Sequence, residues 1–345
     1  MTRYIIKRFL QGIPLLFIIS IILFVLMMNM GDPIATMGGR SVMRPADRER
    51  LTRQLGLDKP LHIQYLYWLI GNDWTKVDMD GDGVAETPGI RRGALRGDFG
   101  TSLVNRGKPV IDVIAERLPN TLILMVASEV VIILGALLAG IYSALRQYST
   151  FDYIITGLSF IGYSMPIFFI ALISMYLFAV LFKRWGLPYL PTIGMFDPQI
   201  GKTPAQVLWH LVLPVLSISI ISFAAYSRYI RSTMLEVMSQ DYIRTARSKG
   251  LPPRDVVFIH ALKNASLPIV TVIGLDLPLL LGGAVVTERI FAWPGMGRLF
   301  LDHVSRSDTP VVMGILMLVA TAVIVFQIIT DIVYAWLDPR IRYGT

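Results

Sequence analysis

Cysteine is absent from all 345 residues, which excludes a disulfide framework, a thiolate metal site and a cysteine nucleophile together, without identifying the compartment. Charge is scarce as well: Asp, Glu, Lys and Arg make up 16% of positions, where soluble globular chains carry about a quarter. Histidine occurs only at His62, His210, His260 and His303, with no pair at helical spacing, so metal catalysis has no support. Gly201-Lys202-Thr203 is the only fragment like a phosphate cradle, and no glycine stands five positions before Gly201. Ser164, in Gly162-Tyr163-Ser164-Met165-Pro166, lacks the closing glycine of a hydrolase elbow and reads as a helix break.

What the chain has is apolar length, with 54% hydrophobic residues. A helix crosses a hydrocarbon core about 30 Å thick with roughly twenty apolar residues, because lipid offers no partner to an unpaired backbone amide. Six such runs are approximately Phe9 to Met30, Thr121 to Leu145, Ile154 to Phe182, Leu208 to Ile230, Leu267 to Thr287 and Val311 to Trp336. The expectation is an all-α polytopic membrane protein with six transmembrane helices. The first run follows a basic start (Arg3, Lys7, Arg8), is longer than a signal-peptide core and meets no small-x-small cleavage site before Gly31-Asp32-Pro33, so it reads as an uncleaved helix. The third is long enough to tilt or to break at Met165-Pro166. The fourth and fifth carry Pro214 and Pro278, which suggests helices buried in a bundle.

The net charge of +8 would suggest nucleic acid only if the basic residues shared a soluble, aromatic-studded face. They lie instead between apolar runs, where they set topology, so membrane lipid and no nucleic acid is the expected surrounding. The N-terminal tail, the segment after helix four (Arg231, Arg244, Arg247, Lys249, Arg254, Lys263) and the C-terminal tail (Arg340, Arg342) are basic, which places both termini in the cytoplasm. The loop after helix one is basic too, but long loops translocate largely regardless of charge. The organisation read from this is a tail and first helix (1–30), an extracytoplasmic loop subdomain (31–120) with a glycine-rich insert at 71–96, a five-helix core (121–337) containing a cytoplasmic loop (231–266), and a cytoplasmic tail (338–345). Within the outer loop, Gln54 to Asp58 and the aromatic Tyr65 to Ile70 have ordered patterns. No internal repeat is evident.

The cytoplasmic stretch from Met238 to Pro268 is the most informative. Ser239 or Asp241 can cap a short helix, small Ala246 leaves a flat face, Gly250 supplies a left-handed end, and Pro253 starts a second short helix. Two short helices meeting at a glycine would form a rigid knuckle; the alternative is an ordinary basic loop held by anionic lipid. In the outer loop, Asp78, Asp80 and Asp82 are spaced like the start of a calcium loop, with Glu86 at the ninth position, but the twelfth is Gly89 where a bidentate Glu is required. Calcium and a solvated acidic turn both remain open.

Asp241-Tyr242-Ile243-Arg244-Thr245-Ala246-Arg247-Ser248-Lys249-Gly250, followed by His260-Ala261-Leu262-Lys263-Asn264-Ala265 and Leu267-Pro268, resembles the "EAA" loop of ABC importer permeases of the oligopeptide/dipeptide family. Further matches stand in order along the chain: Leu55-Gly56-Leu57-Asp58-Lys59-Pro60, Gly97-Asp98-Phe99-Gly100-Thr101-Ser102, Glu288 to Gly297, Asp331-Ile332-Val333-Tyr334 and Asp338-Pro339-Arg340. The long loop after helix one is similar to that of the first of the family's two permease subunits. The resemblance implies a type I importer in a bacterial or archaeal plasma (inner) membrane: a heterodimer of this chain with a second permease subunit, two ATP-binding subunits that hold ATP and magnesium, and an extracytoplasmic solute-binding protein. It implies that Asp241, Tyr242, Arg244, Ala246, Arg247, Lys249 and Gly250 form a coupling helix gripped by an ATPase. The motif departs from its commonest form, with Arg244-Thr245-Ala246 in place of Glu-Ala-Ala.

Charges at membrane depth are costly and point to function. Asp276 beside Pro278 and Glu129 in helix two could line a water-filled path, with Asp276 meeting a peptide's amino group, or could bond a neighbouring helix; Ser164 at the helix break is a second path candidate. Asp331 and Asp338 are expected to pair with Arg340 or the coupling loop. Two other functions compete: an ion-coupled secondary transporter using buried carboxylates, and a permease for a non-peptide solute such as a nickel chelate, glutathione or a sugar. An intramembrane enzyme would need a paired acid and base, and none is found.

Overall fold

The computed structural model describes residues 2–29, 44–78, 84–105 and 107–337. Six helices among them are long and apolar enough to cross a membrane: Ile6–Met28, Val110–Leu145, Ile167–Arg184, Pro204–Met238, Pro253–Ile290 and Thr309–Leu337. Many of their side chains, such as Phe9, Ile18, Leu138 and Leu208, are exposed apolar groups, as a lipid solvent permits.

In chain order the elements are α1 (Thr2–Met28), α2 (Pro45–Leu55), α3 (Leu61–Ile70), the strands β1 (Lys76–Val77) and β2 (Thr87–Pro88), α4 (Val110–Leu145), α5 (Thr150–Ser164), α6 (Ile167–Met175, running through a π-helical turn to Arg184), α7 (Pro204–Met238) and α8 (Asp241–Ser248). Helix α9 opens at Pro253–Asp255, passes through a π-helical turn at Val256–Ala261 and continues as Leu262–Leu281; α10 (Val285–Ile290), α11 (Met296–Val304) and α12 (Thr309–Leu337) follow. The third apolar run breaks where proline predicted. Met165 and Pro166 are extended (φ −87°, ψ 133° and φ −61°, ψ 140°), because the residue before a proline is pushed out of the helical region.

The chain forms two compact units, one of Met1–Arg8, Asn120–Arg298 and Val323–Thr345, the other of Phe9–Pro119 and Leu299–Ala322. In the first, one apolar core joins Leu124, Ile132 and Ala136 of α4 to Ile218, Ile230 and Met234 of α7 and to Val256, Ala261 and Ala265 of α9. Helices α4 and α7 approach closely at Gly140, where a Cβ would stand 2.7 Å from Ile230 Cγ2 and 2.8 Å from the Ser227 carbonyl. Pro214 and Pro278 are both buried.

In the second unit α3 lies on the face of α1 that carries Phe17, Ser20, Phe24 and Met27, residues three and four apart and so on one stripe. Tyr65 meets Phe17 and Phe24 edge-on (centroids 6.0 and 5.4 Å) and its hydroxyl lies 2.7 Å from Ser20 Oγ. Trp68 completes the cluster against Phe24 and Phe99. Buried Asp308 ties the loop after the strands to the start of α12. It accepts from Ser102 Oγ (2.6 Å), from the Leu103 and Val104 amides (3.1 Å each), and bonds His303 Nδ1 (2.8 Å). Burial pushes its pKa up, but His303, Ser102 and the two amides outweigh it, and the carboxyl sits below the usual range. β1 and β2 pair as an antiparallel ladder of two rungs, and Arg96 holds Asp73 through 2.5 and 2.7 Å contacts.

Candidate functional site

The short helix α8 follows α7 after only Ser239 and Gln240. Its N-cap is Gln240, which makes no side-chain cap; Ser239 Oγ instead donates to the Glu236 carbonyl at 2.7 Å and finishes α7. Neither Ser239 nor Asp241 therefore caps as expected, although Asp241 in the first turn still favours the helix dipole. The far end matches the expectation. Gly250 has φ +74°, and its amide bonds the Arg247 carbonyl (2.9 Å) while the Leu251 amide reaches Ala246 (3.4 Å), a Schellman closure that needs a left-handed residue.

The two faces of α8 differ sharply. Ile243 and Ala246, three residues apart, are buried in the core with Met234, Val256 and Ala261. Ile243, fully buried, contributes about 2 kcal/mol to rooting the helix. Asp241, Tyr242, Arg244, Arg247, Lys249 and Gly250 are all exposed. Ala246 lies on the inner face, where its small side chain lets α8 lie close to its own bundle. The second short helix is corrected, since Pro253 begins the first turn of α9, which runs on without interruption because every residue from Val256 to Leu262 keeps helical backbone.

A polar latch stands behind this knuckle. Asp152, 2% exposed at the start of α5, accepts two bonds from Arg231 of α7 (2.6 and 2.8 Å) and one from the Tyr148 amide (2.9 Å). The Arg231 bonds, ahead of burial, hold its carboxyl below the usual carboxylate range. One turn earlier the Arg228 guanidinium lies over Phe160 and Tyr163 of α5 at 4.9 and 5.0 Å. Helices α5 and α7 are pinned together just before the chain enters α8.

At membrane depth, Tyr226 of α7 donates to Asp276 of α9 at 2.7 Å, so Asp276 does make the interhelical bond that competed with a path role. Glu129 of α4 is buried, lies within electrostatic range of Asp276, and has an Oε1 without a hydrogen-bond partner among the described residues. Ser164 is exposed and donates to the Phe160 carbonyl of its own helix at 2.8 Å. Asp331 pairs with Arg8 at 3.0 Å; Asp338 and Arg340 lie outside the described residues, so the expected pairing with Arg340 has no structural counterpart here. Asp80 and Asp82 also lie outside them, and among the described residues no three His, Asp or Glu are grouped to hold a metal. Gly201-Lys202-Thr203 is a helix start, in which Thr203 Oγ1 accepts from the Gln206 amide (3.3 Å).

One constellation was not anticipated from sequence. Glu288, fully buried on α10, accepts from Thr121 Oγ1 and from the Arg298 amide, both at 2.9 Å. Trp293 Nε1 donates to the Asn120 carbonyl, Asn120 Nδ2 donates to the Pro294 carbonyl, and the Met296 amide donates to Thr121 Oγ1. Gly295 packs against the Glu288 carboxylate with no room for a Cβ. The signal was the Glu288-to-Gly297 motif itself, a lone acid with Trp-Pro-Gly-Met-Gly, whose residues fold around that acid.

Comparison with known proteins decides the class. The family described as binding-protein-dependent transport system inner membrane component matches residues 136–343, and its N-terminal companion matches residues 1–125. The chain belongs to the binding-protein-dependent transport permeases. Permeases similar to it include an oligopeptide transport system permease protein of Bacillus subtilis, 41% identical over 99% of this chain and all of that one. A di/tripeptide transport system permease protein of Pseudomonas aeruginosa is 37% identical, and a dipeptide transport system permease protein of Escherichia coli 35%, each over 99% of both chains. This permease is therefore a multi-pass membrane component of a multisubunit transporter, not an enzyme, and the ion-coupled secondary-transporter reading is set aside.

Proposed function

We propose that this permease is the translocation subunit, of the first-permease type, in an ATP-driven importer of di- and oligopeptides. Its partners are a second permease subunit, two ATP-binding subunits that carry ATP and magnesium, and an extracytoplasmic solute-binding protein. It sits in a bacterial or archaeal inner membrane with both termini cytoplasmic. Helix α8 is the coupling element, with Tyr242, Arg244, Arg247 and Lys249 facing an ATPase and Gly250 closing the turn. The observation that carries this reading is the division of α8 into a face rooted in the bundle and a polar face left outside. A partner shifts a two-state bundle only if it binds the two states unequally, and a rigidly rooted helix is what such binding can push. The peptide transport named for the relatives supports the solute class.

The absence of cysteine makes the test clean. A single Lys249→Cys in the assembled transporter should crosslink to the ATP-binding subunit, while Leu138→Cys, exposed on the apolar face of α4, should not. Equal crosslinking of the two, or none from Lys249→Cys, counts against the assignment.

A further inference from the structure

The unit containing α1 and α3 holds a cavity of about 140 Å³, walled mostly by apolar side chains that include Phe24, Met27, Leu57, Trp68, Phe99 and Met313. Arg91 lines it too, and its backbone is fixed on both sides. Its amide donates to Asn72 Oδ1 (2.9 Å), and its carbonyl accepts from the Asn72 and Asp73 amides (2.9 and 3.2 Å). Its guanidinium, by contrast, makes no hydrogen bond or ion pair among the described residues. Burial lowers the Arg91 pKa, with the charge of Asp98 opposing. Asp98 itself is committed, one carboxylate oxygen to the Arg92 amide and the other to the Gly100 amide, both at 2.9 Å. A second unused donor stands in the wall: buried Trp68 Nε1 has no partner among the described residues.

A half-buried cation without a bonded counter-ion gains from an anion that joins it. An apolar cavity of about 150 Å³ takes a group the size of benzene. We propose that this cavity binds a small carboxylate carrying one apolar or aromatic group, the carboxylate on the Arg91 guanidinium and the apolar group among Phe24, Met27, Phe99 and Met313. A short peptide ending in an apolar residue has this chemistry, an assignment of source that rests on the function proposed above; a short fatty acid is the other source. The wall includes the last turn of α1 and the first of α12, so the site lies at helix ends within its own unit.

The test uses the purified full chain in nanodiscs and ligand-observed NMR with phenylacetate as probe. Phenylacetate should bind saturably, and the neutral phenylacetamide should bind about tenfold or more weakly to the unmodified protein, since a charge-assisted contact is lost. Arg91→Gln should weaken phenylacetate by a similar factor, and Leu57→Trp, which fills the chamber and keeps the cation, should abolish binding. Equal binding of acid and amide, or no saturable binding, overturns the site. Alanyl-phenylalanine should displace the probe and its C-terminal amide should not; displacement by octanoate with none by the peptide overturns the peptide assignment. Transport plays no part in this measurement, so failure here leaves the importer reading standing, and failed uptake leaves the site standing.

Discussion

The segments Asp241–Gly250 and Glu288–Gly297 both carry the family resemblance, and they use their residues in opposite ways. In the first, six of the seven motif residues singled out are exposed, and only Ala246 turns inward. In the second, Glu288, Phe291, Trp293 and Met296 are buried, and Glu288, Trp293 and Met296 bond Asn120 or Thr121. One motif is written by a polar surface turned away from the bundle, the other by a knot inside its own unit. Substitutions in the knot should therefore cost folding, and those on the knuckle should cost transport while the protein remains folded.

The largest effect expected is from Glu288→Ala. It strands the Thr121 hydroxyl and the Arg298 amide in a buried site, at roughly 1–3 kcal/mol for each. Detergent-solubilised protein should melt many degrees lower or fail to accumulate, and an unchanged melting curve would erase the contrast. Asp152→Asn comes next, at about 2 kcal/mol, because Arg231 keeps its charge and loses its partner. The pH sign follows from the depressed Asp152 value. Its contribution is fully present above the ordinary carboxylate pKa of about 4 and is lost as pH falls through the lower folded value. Stability of the parent should thus decline below that range more steeply than stability of Asp152→Asn, as acid titrations of the melting temperature would reveal.

Gly250→Val should cost about 1–3 kcal/mol locally, since a β-branched residue resists the left-handed backbone although its Cβ meets open space. Gly250→Asn, which tolerates that backbone, should retain most ATP-dependent uptake, and the two variants compared by vesicle transport separate backbone shape from side-chain bulk. The smallest stability effect belongs to Arg247→Glu, exposed and within about 0.5 kcal/mol of the parent, yet uptake should fall severalfold. A stable variant with normal uptake would dissociate the α8 surface from coupling.

The apolar runs, the break at Met165-Pro166 and the glycine end of α8 were legible because each depends on neighbours in sequence: hydropathy, the steric demand before proline, and the left-handed turn. What escaped notice depends on distant partners. Nothing near Glu288 names Thr121, 167 positions away, and nothing near Asp331 names Arg8. The orientation of the flat face at Ala246 was not legible, because smallness fits an outer or an inner face; Ile243, one turn earlier and fully buried, shows that it is the inner one. The second short helix was misplaced because proline opens long helices as readily as short ones, and α9 continues through a π-helical turn.

The most direct measurement is peptide uptake by vesicles that hold this permease with and without its ATP-binding subunits, the second permease and binding protein being present throughout. Uptake should appear only with the ATP-binding subunits and hydrolysable ATP, and should vanish in Gly250→Val at equal assembly. Uptake driven by an ion gradient alone would contradict the account.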